Sequence, residues 1–319
     1  MNHRRELPAF FLRKLAAAVP LLLGVTLISF ALTVHFGPDP AHALVGKNPT
    51  AAELAQLRQE LGQDRPFWIR YADYLRGLAT LDLGHAQASG ESVRELLGRT
   101  LPVSAMLLAP GFLLGTALAL ALAMWAAWYR GSRLDRWITG CSVVGMSLSF
   151  VVIIIGLQAI FGVWLGWFPV RGWAVGDPGS YVRHVSLPTL AFVLASLGYN
   201  TRFFRAMLVN AMSADHVRTA LAYGATPRRI MIRHVLPAAL LPIMTRIIYT
   251  VPGLAIAGSL LIESHFAVPG IGRITYQAIL AGDQAVIMAV VGLSAVLLAL
   301  TVTVADMLGQ LADPRIRVA

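Results

Sequence analysis

A single cysteine, Cys141, stands in 319 residues, so no internal disulfide can form and no cysteine-spaced metal site exists. Charge is scarce as well: 13% of the residues are charged and only 16 are acidic, against 57% hydrophobic residues and a mean hydropathy of +0.67. That is too apolar, in too many long runs, for one soluble core, and it identifies a polytopic membrane protein. Catalytic signatures are missing too, with no His-Glu-x-x-His and no Gly-x-Ser-x-Gly. The one Gly-Lys pair with loop-like flanks, Gly46-Lys47, has Ala41 where a phosphate-binding loop needs its first glycine and Asn48 where it needs Ser or Thr. The chain is therefore not expected to bind nucleotide by itself.

What is abundant is uncharged sequence. Crossing a hydrocarbon core of roughly 30 Å takes about 20 helical residues, and the uncharged stretches run from Leu15 to about Thr33, Thr100 to Tyr129, Trp137 to Val170, His184 to Thr201, His234 to Ile262 and Gln284 to Ala305. Arg246 is the one interruption of the fifth. Trp137 to Val170 is long for one helix, but its Gly145 and Gly156 lie in apolar sequence without turn residues, so it is read as one span with a wet loop at Gly162 to Pro169. The expected fold is all-α, with six transmembrane helices.

Net charge is +10, from 26 Lys and Arg. With six spans, segments 1–14, 130–136, 202–233 and the tail after Gln310 carry 15 basic and four acidic residues, while 34–99, 171–183 and 263–283 carry 10 and 11. The positive-inside rule then puts both termini in the cytoplasm and accounts for the basic pI without nucleic acid. The 19-residue apolar run after Arg4, Arg5, Arg13 and Lys14 is longer than a signal-peptide core, so helix 1 is read as retained, despite Ala41-His42-Ala43. The chain divides into 1–33 (N-terminus and helix 1), 34–99 (external loop), 100–310 (helices 2–6) and 311–319 (tail).

Loop 34–99 is patterned. Thr50 with Glu53 makes a capping box for a short helix ended by Gly62, and Pro66 suits the first position of a second. Phe67, Tyr71, Tyr74, Leu75 and Leu78 recur on one face of it, and Ser92 with Glu95 is a further capping box. The loop is either a docking surface or a cap over helix ends. Between spans 4 and 5, within 213–226, Ser213 can cap a helix over 214–222 that Gly224 stops, and Thr226-Pro227 opens the next helix, carrying Arg228, Arg229, Arg233 and His234. That short helix is either a docking element or a plain interfacial helix.

From Asp215 to Gly224, followed by His234-Val235-Leu236-Pro237, the chain resembles the inner-membrane permease subunits of binding-protein-dependent ABC importers, of the oligopeptide/dipeptide type. Similar pieces follow in order: Gly37-Pro38-Asp39-Pro40, Leu61 to Pro66, Asp82-Leu83-Gly84, Leu187-Pro188-Thr189-Leu190, Glu263 to Gly272 and Asp313 to Arg317. The large loop after span 1 resembles the first of the two paired permease types. Departures are Gly37-Pro38 for the usual small residue and Gly, Leu81 for Gly, and Tyr223 for a basic residue before the coupling glycine.

The resemblance implies a non-catalytic subunit in a bacterial inner membrane. Its partners would be a second homologous permease, two cytoplasmic ATPases holding ATP and Mg²⁺, and an extracytoplasmic binding protein that delivers peptide. Asp215, Arg218, Thr219, Ala220 and Gly224 would form the ATPase-coupling helix. Nickel complexes or another small solute remain an alternative cargo, and an ion-coupled carrier acting alone is a different class, disfavoured because the span centres are nearly free of acids.

Other residues have two readings. Arg246 lies roughly 14 Å into helix 5 if that helix starts near Pro237, giving either a path-lining cation or one that snorkels or pairs structurally. Glu263 and His265 are either a gate or part of the structural turn made by Pro269, Gly270 and Gly272. Asp306 reads as a helix-end or inter-subunit pair before a proton site. Trp164, Trp167, Phe168 and Trp173 read as an interfacial belt before a stacking platform.

Overall fold

The computed structural model describes residues 3–37, 39, 41, 50–60, 62–87 and 89–312. Pro38, Pro40, His42 to Asn48, Leu61 and the tail from Asp313 onward lie outside the described residues, with the readings placed on them. Among the described residues every regular element is helical, apart from a single β-bridge between His85 and Ser92.

In chain order the helices are α1 (His3–Phe36), α2 (Ala51–Glu60), α3 (Phe67–Thr80), α4 (Val93–Trp128), α5 (Arg133–Ser147) and α6 (Phe150–Leu157), which passes into a π-helical stretch at Gln158–Trp164. Then come α7 (Pro178–Met212), α8 (Asp215–Ala222), α9 (Pro227–Ile230) and, after π-helical Met231–Val235, α10 (Leu236–Gly253). A further π stretch at Leu254–Gly258 leads to α11 (Ser259–Phe266), α12 (Ile271–Ala281) and α13 (Gln284–Ala312).

Among the described residues, four helical stretches are long and apolar enough to cross a membrane: Ala18–Phe36, Val93–Trp128, Pro227–Ile256 and Gln284–Gly309. The bent pair Arg133–Ser147 and Phe150–Trp164 makes a fifth if counted as one span. The expected fourth span lies inside the 35-residue α7, whose His184, Ser186, Thr189, Asn200 and Thr201 dilute its apolar run.

One expectation is corrected. Trp137 to Val170 is not one straight span, because the chain turns by 94° between α5 and α6. Leu148 and Ser149 are both extended (ψ 130° and 138°), and the Ser147 hydroxyl bonds back to the Val143 carbonyl at 3.0 Å. Serines compete locally for backbone hydrogen bonds, which lets a helix end inside apolar sequence without glycine or proline.

The chain forms two compact units, one of Met1–Ser104, Ala255–Ser264 and Pro269–Thr303, the other of Ala105–Leu254, His265–Val268 and Val304–Ala319. In the first, the predicted α3 face is the packed one. Phe30 of α1 lies 5.3 to 5.7 Å from the rings of Phe67, Tyr71 and Tyr74. The Tyr71 hydroxyl donates to the Leu23 carbonyl at 2.9 Å, and that of Tyr74 to the Met288 carbonyl at 3.1 Å. Aromatic bodies thus fill the space between α1, α3 and α13 while their hydroxyls satisfy helix carbonyls. The Thr50–Glu53 capping box forms in both directions, at 2.9 and 3.3 Å, and Gly62 adopts φ +65°. Pro66 is the N-cap of α3, one position earlier than expected.

In the second unit α7 is central. Gly198 allows its backbone to approach α5 so closely that a Cβ there would meet the Ser142 carbonyl and the Met146 side chain. Small residues at such crossings are how helices pack where lipid supplies no hydrophobic drive. Asp135, in the first turn of α5, receives two hydrogen bonds from Arg205 of α7, at 2.6 and 2.7 Å.

Candidate functional site: the α8 helix and the α12 turn

Two constellations emerge, one in each unit. The first is α8 and its seat. Ala214 is the N-cap, with no side-chain cap bond, and the Ser213 hydroxyl donates instead to the Asn210 carbonyl at 2.7 Å. Ser213 therefore closes the preceding helix rather than opening α8, a correction of its expected role. Thr226 occupies the N-cap of α9, also without a hydroxyl bond.

The other end of α8 is as expected. Gly224 adopts φ +73°, its N–H bonds to Leu221 O at 2.9 Å, and the Ala225 N–H reaches Ala220 O at 3.1 Å. These are the paired bonds of a Schellman ending. Nothing lies within 4 Å of a Cβ built on Gly224, so its backbone conformation, not space, selects glycine.

Val217 anchors α8. It is buried in a cluster with Phe204 and Leu208 of α7, Ile230, Met231 and Val235 after it, and Ala119, Ala123 and Ala127 of α4. Full burial of one valine contributes about 1.5–3 kcal/mol, enough to hold a two-turn helix that would not persist alone. Ala220 is half-buried on the same side. Asp215, Arg218 and Thr219 are exposed, as are Leu221, Tyr223 and Gly224. Arg218 and Asp215 approach to only 3.9 Å with both side chains largely in solvent, an ion pair of little energetic weight. The free face thus mixes charge with two large apolar side chains. Leu221 and Tyr223 were not among the expected coupling residues. Leu221 stands four residues after Val217 and reads from the period as core, while Tyr223 looks only like a departure from a motif.

Asp135 and Arg205 stiffen this unit. Ser132 Oγ accepts the Asp135 N–H at 3.2 Å, Asp135 Oδ2 accepts the Gly131 N–H at 2.9 Å, and Arg205 takes both carboxylate oxygens. No local pattern announces a pair separated by 70 residues, although Ser132-x-x-Asp135 itself is a legible cap.

The second constellation surrounds Glu263. It has no exposed surface, so in this conformation it lines no accessible path. One carboxylate oxygen, Oε2, accepts the N–H groups of Gly272 at 2.7 Å and Arg273 at 3.2 Å, the first turn of α12. Ser104 Oγ accepts the Ile271 N–H at 2.8 Å beside it. Three donors at the start of α12 are thereby satisfied, and the carboxylate complements the positive end of the helix. Burial pushes the Glu263 carboxyl up to about 6, although Ser104 and the two N–H groups pull in the opposite direction. Among the described residues, none partners the buried Oε1.

Both glycines of the turn are explained by space. A Cβ on Gly270 would meet Glu263 Oε2 and Ser104 Oγ, and one on Gly272 would meet the backbone of Ser259 and Leu260. Pro269 is exposed ahead of them.

The remaining candidates stand apart. Arg246 is exposed on α10, its guanidinium 5.6 Å from the Phe203 ring centre, a cation–π arrangement. The carbonyl of His265 accepts Gln158 Nε2 at 3.4 Å. Trp164 and Trp167 are 86% and 62% exposed, and the Trp173 ring lies against Tyr181.

Comparison with known proteins places these features in a family. The model of the binding-protein-dependent transport system inner membrane component matches residues 119–318, and that of the corresponding N-terminal segment matches residues 7–105. The di/tripeptide transport system permease protein of Pseudomonas aeruginosa is 31% identical over 97% of this chain and 98% of its own length. The oligopeptide transport system permease protein of Bacillus subtilis is 28% identical over 97% of this chain and 99% of its own. Matched over most of its length, with several helices able to cross a membrane, this multi-pass chain belongs to the family of inner-membrane components of binding-protein-dependent transport systems.

Proposed function

We propose that this chain is the permease subunit of an ATP-driven importer of di- or oligopeptides. The observation that carries the reading is the end-to-end similarity to permeases named for di-, tri- and oligopeptide transport. The partners are a second homologous permease, two cytoplasmic ATPases that hold ATP and Mg²⁺, and an extracytoplasmic binding protein. Six spans, with both termini cytoplasmic, agree with the concentration of basic residues in alternate segments. The span beyond the five apolar ones, fourth in chain order, is supplied by α7.

In this reading α8 is the coupling helix. Its exposed side, with Asp215, Arg218, Thr219, Leu221 and Tyr223, meets an ATPase, and Val217 with Ala220 passes the displacement to α4, α7 and α9. The Schellman ending at Gly224 fixes where α9 departs. ATP binding closes the ATPases and opens the permease outward, and hydrolysis resets it. The chain itself performs no chemistry on the substrate, and binding free energy in the partners selects between its two states.

Arg246 supplies a cation for a peptide carboxylate along the path, with Phe203 holding its guanidinium in place. Glu263 serves as the internal anchor of α12, together with Pro269, Gly270 and Gly272. The test is uptake of a labelled dipeptide into proteoliposomes containing the complete assembly. Unlabelled di- and tripeptides should compete and a nickel chelate should not. Competition by the nickel chelate alone would assign the other cargo.

A further inference from the structure

The turn between α4 and α5 carries three arginines that the fold leaves free. Helix α4 is apolar enough to cross a membrane and ends at Trp128, and the apolar α5–α6 pair begins at Arg133. The intervening residues therefore lie where the chain leaves one apolar segment and starts another, at a membrane–water boundary. Arg130, Arg133 and Arg136 are all exposed there. The one acid of the turn, Asp135, is buried and committed to Arg205, and no ion pair recorded among the described residues includes any of the three arginines.

Two of them line a cleft. Arg133, Arg136 and Trp137 border a shallow cleft of about 370 Å³ that is open to solvent, with Trp137 74% exposed. One helical face continues from this cleft along α5 through Gly140, Cys141 and Val144, at spacings of seven, eight and eleven residues from Arg133. All three are exposed, and nothing lies within 4 Å of a Cβ built on Gly140. The result is an exposed stripe of small and apolar residues on α5 that runs on from a basic, aromatic cleft.

We infer that this cleft holds the headgroup of an anionic phospholipid, with an acyl chain along Gly140, Cys141 and Val144. Guanidinium forks match phosphate oxygens in pairs, and an indole at the mouth sits at the level of the glycerol and ester groups. Basic clusters beside membrane-spanning helices attract anionic lipid through the same charge. The occupant is a lipid rather than a free phosphate because the cleft opens onto that exposed apolar stripe, between two segments apolar enough to enter a membrane. The inference needs the chain to be a membrane protein but does not depend on which solute it carries.

The test uses the full-length chain with its co-expressed partners in a neutral detergent. Native mass spectrometry measures retention of phosphatidylglycerol against phosphatidylcholine supplied in equal amounts. Arg133 and Arg136, the two that line the cleft, should each contribute about fivefold to the preference for the anionic lipid. Arg133→Gln with Arg136→Gln should bring the preference near parity, whereas Arg76→Gln, exposed on α3, should leave it unchanged. Gly140→Leu sets a bulky side chain on the apolar stripe without touching the charges and should cut phosphatidylglycerol retention several-fold, which tests the site even if the double variant does not fold. Equal retention of both lipids by the unmodified assembly would overturn the inference. So would a preference that survives the arginine double variant, or one abolished by millimolar inorganic phosphate. Protection of Arg133 and Arg136 from arginine-directed labelling by the ATPase subunit, rather than by lipid, would assign the cleft to that partner and likewise overturn it.

Discussion

Leu81 and Glu263 show how single residues carry strain or charge that the surrounding fold must absorb. Leu81 ends α3 in the left-handed region, at φ +57°, with its N–H bonded to the Gly77 carbonyl. That conformation costs an L-residue roughly 1–2 kcal/mol and glycine almost nothing. Leu81 is 55% exposed, so little burial is lost on its removal. Leu81→Gly should therefore stabilise the protein by about 1 kcal/mol, read as a rise in melting temperature in detergent, and an unchanged or lower value would contradict the assignment. The departure at this position visible in the sequence is thus a local strain. Glu263 makes the second prediction. Burial pushes its carboxyl up from 4.5 to about 6, so the folded state holds the proton more tightly. Stability from this group is complete below 4.5 and is lost as pH rises through about 6, a change of about 2 kcal/mol. Glu263→Gln keeps an acceptor for the Gly272 N–H and cannot ionise. Melting temperatures measured from pH 4.5 to 8 should therefore show a drop in the parent that the variant lacks, and equal slopes would refute the buried carboxyl.

Helix ends separate what the sequence reveals from what it hides. The capping box of Thr50 and Glu53 and the left-handed glycines Gly62 and Gly224 were legible because their chemistry is local, requiring only neighbours three to five residues away. The α3 face was legible because its aromatic residues keep a helical period. The break at Leu148–Ser149 was not, since apolar residues flank it on both sides and periodicity does not distinguish one long helix from two. Nor was the role of Glu263, whose partners Ser104 and Gly272 reach it only through the fold. The α12 turn yields a prediction at this scale. Gly270→Ala collides with two side chains that can shift, whereas Gly272→Ala collides with the backbone of α11. Overpacking typically costs 1–3 kcal/mol, and Gly272→Ala should lie at or above the upper end with Gly270→Ala below it. Thermal unfolding of the two variants in the same detergent measures the order, and a reversed order would show that α12 does not approach α11 in this way.

For the whole molecule, the sequence supplied the membrane class, the family resemblance and the placing of the short helix between α7 and α9. The seat of that helix came only from the structure, because it draws Val217, Phe204, Ile230 and Ala123 from four segments of chain. The central claim is that α8 transmits the work of ATPase partners to a peptide path. Leu221 and Tyr223 give it a sharp test, since both are exposed and their replacement removes little buried surface. The decisive measurement is ATP hydrolysis by the assembly reconstituted in lipid, with empty or peptide-loaded binding protein, comparing the parent chain with Leu221→Glu/Tyr223→Glu. The account predicts stimulation by the loaded binding protein in the parent and at least a tenfold loss in the variant, which corresponds to about 1.4 kcal/mol or more of lost interaction, with normal membrane assembly. Peptide uptake driven by a proton gradient in the absence of any ATPase, or full stimulation in the variant, would contradict it.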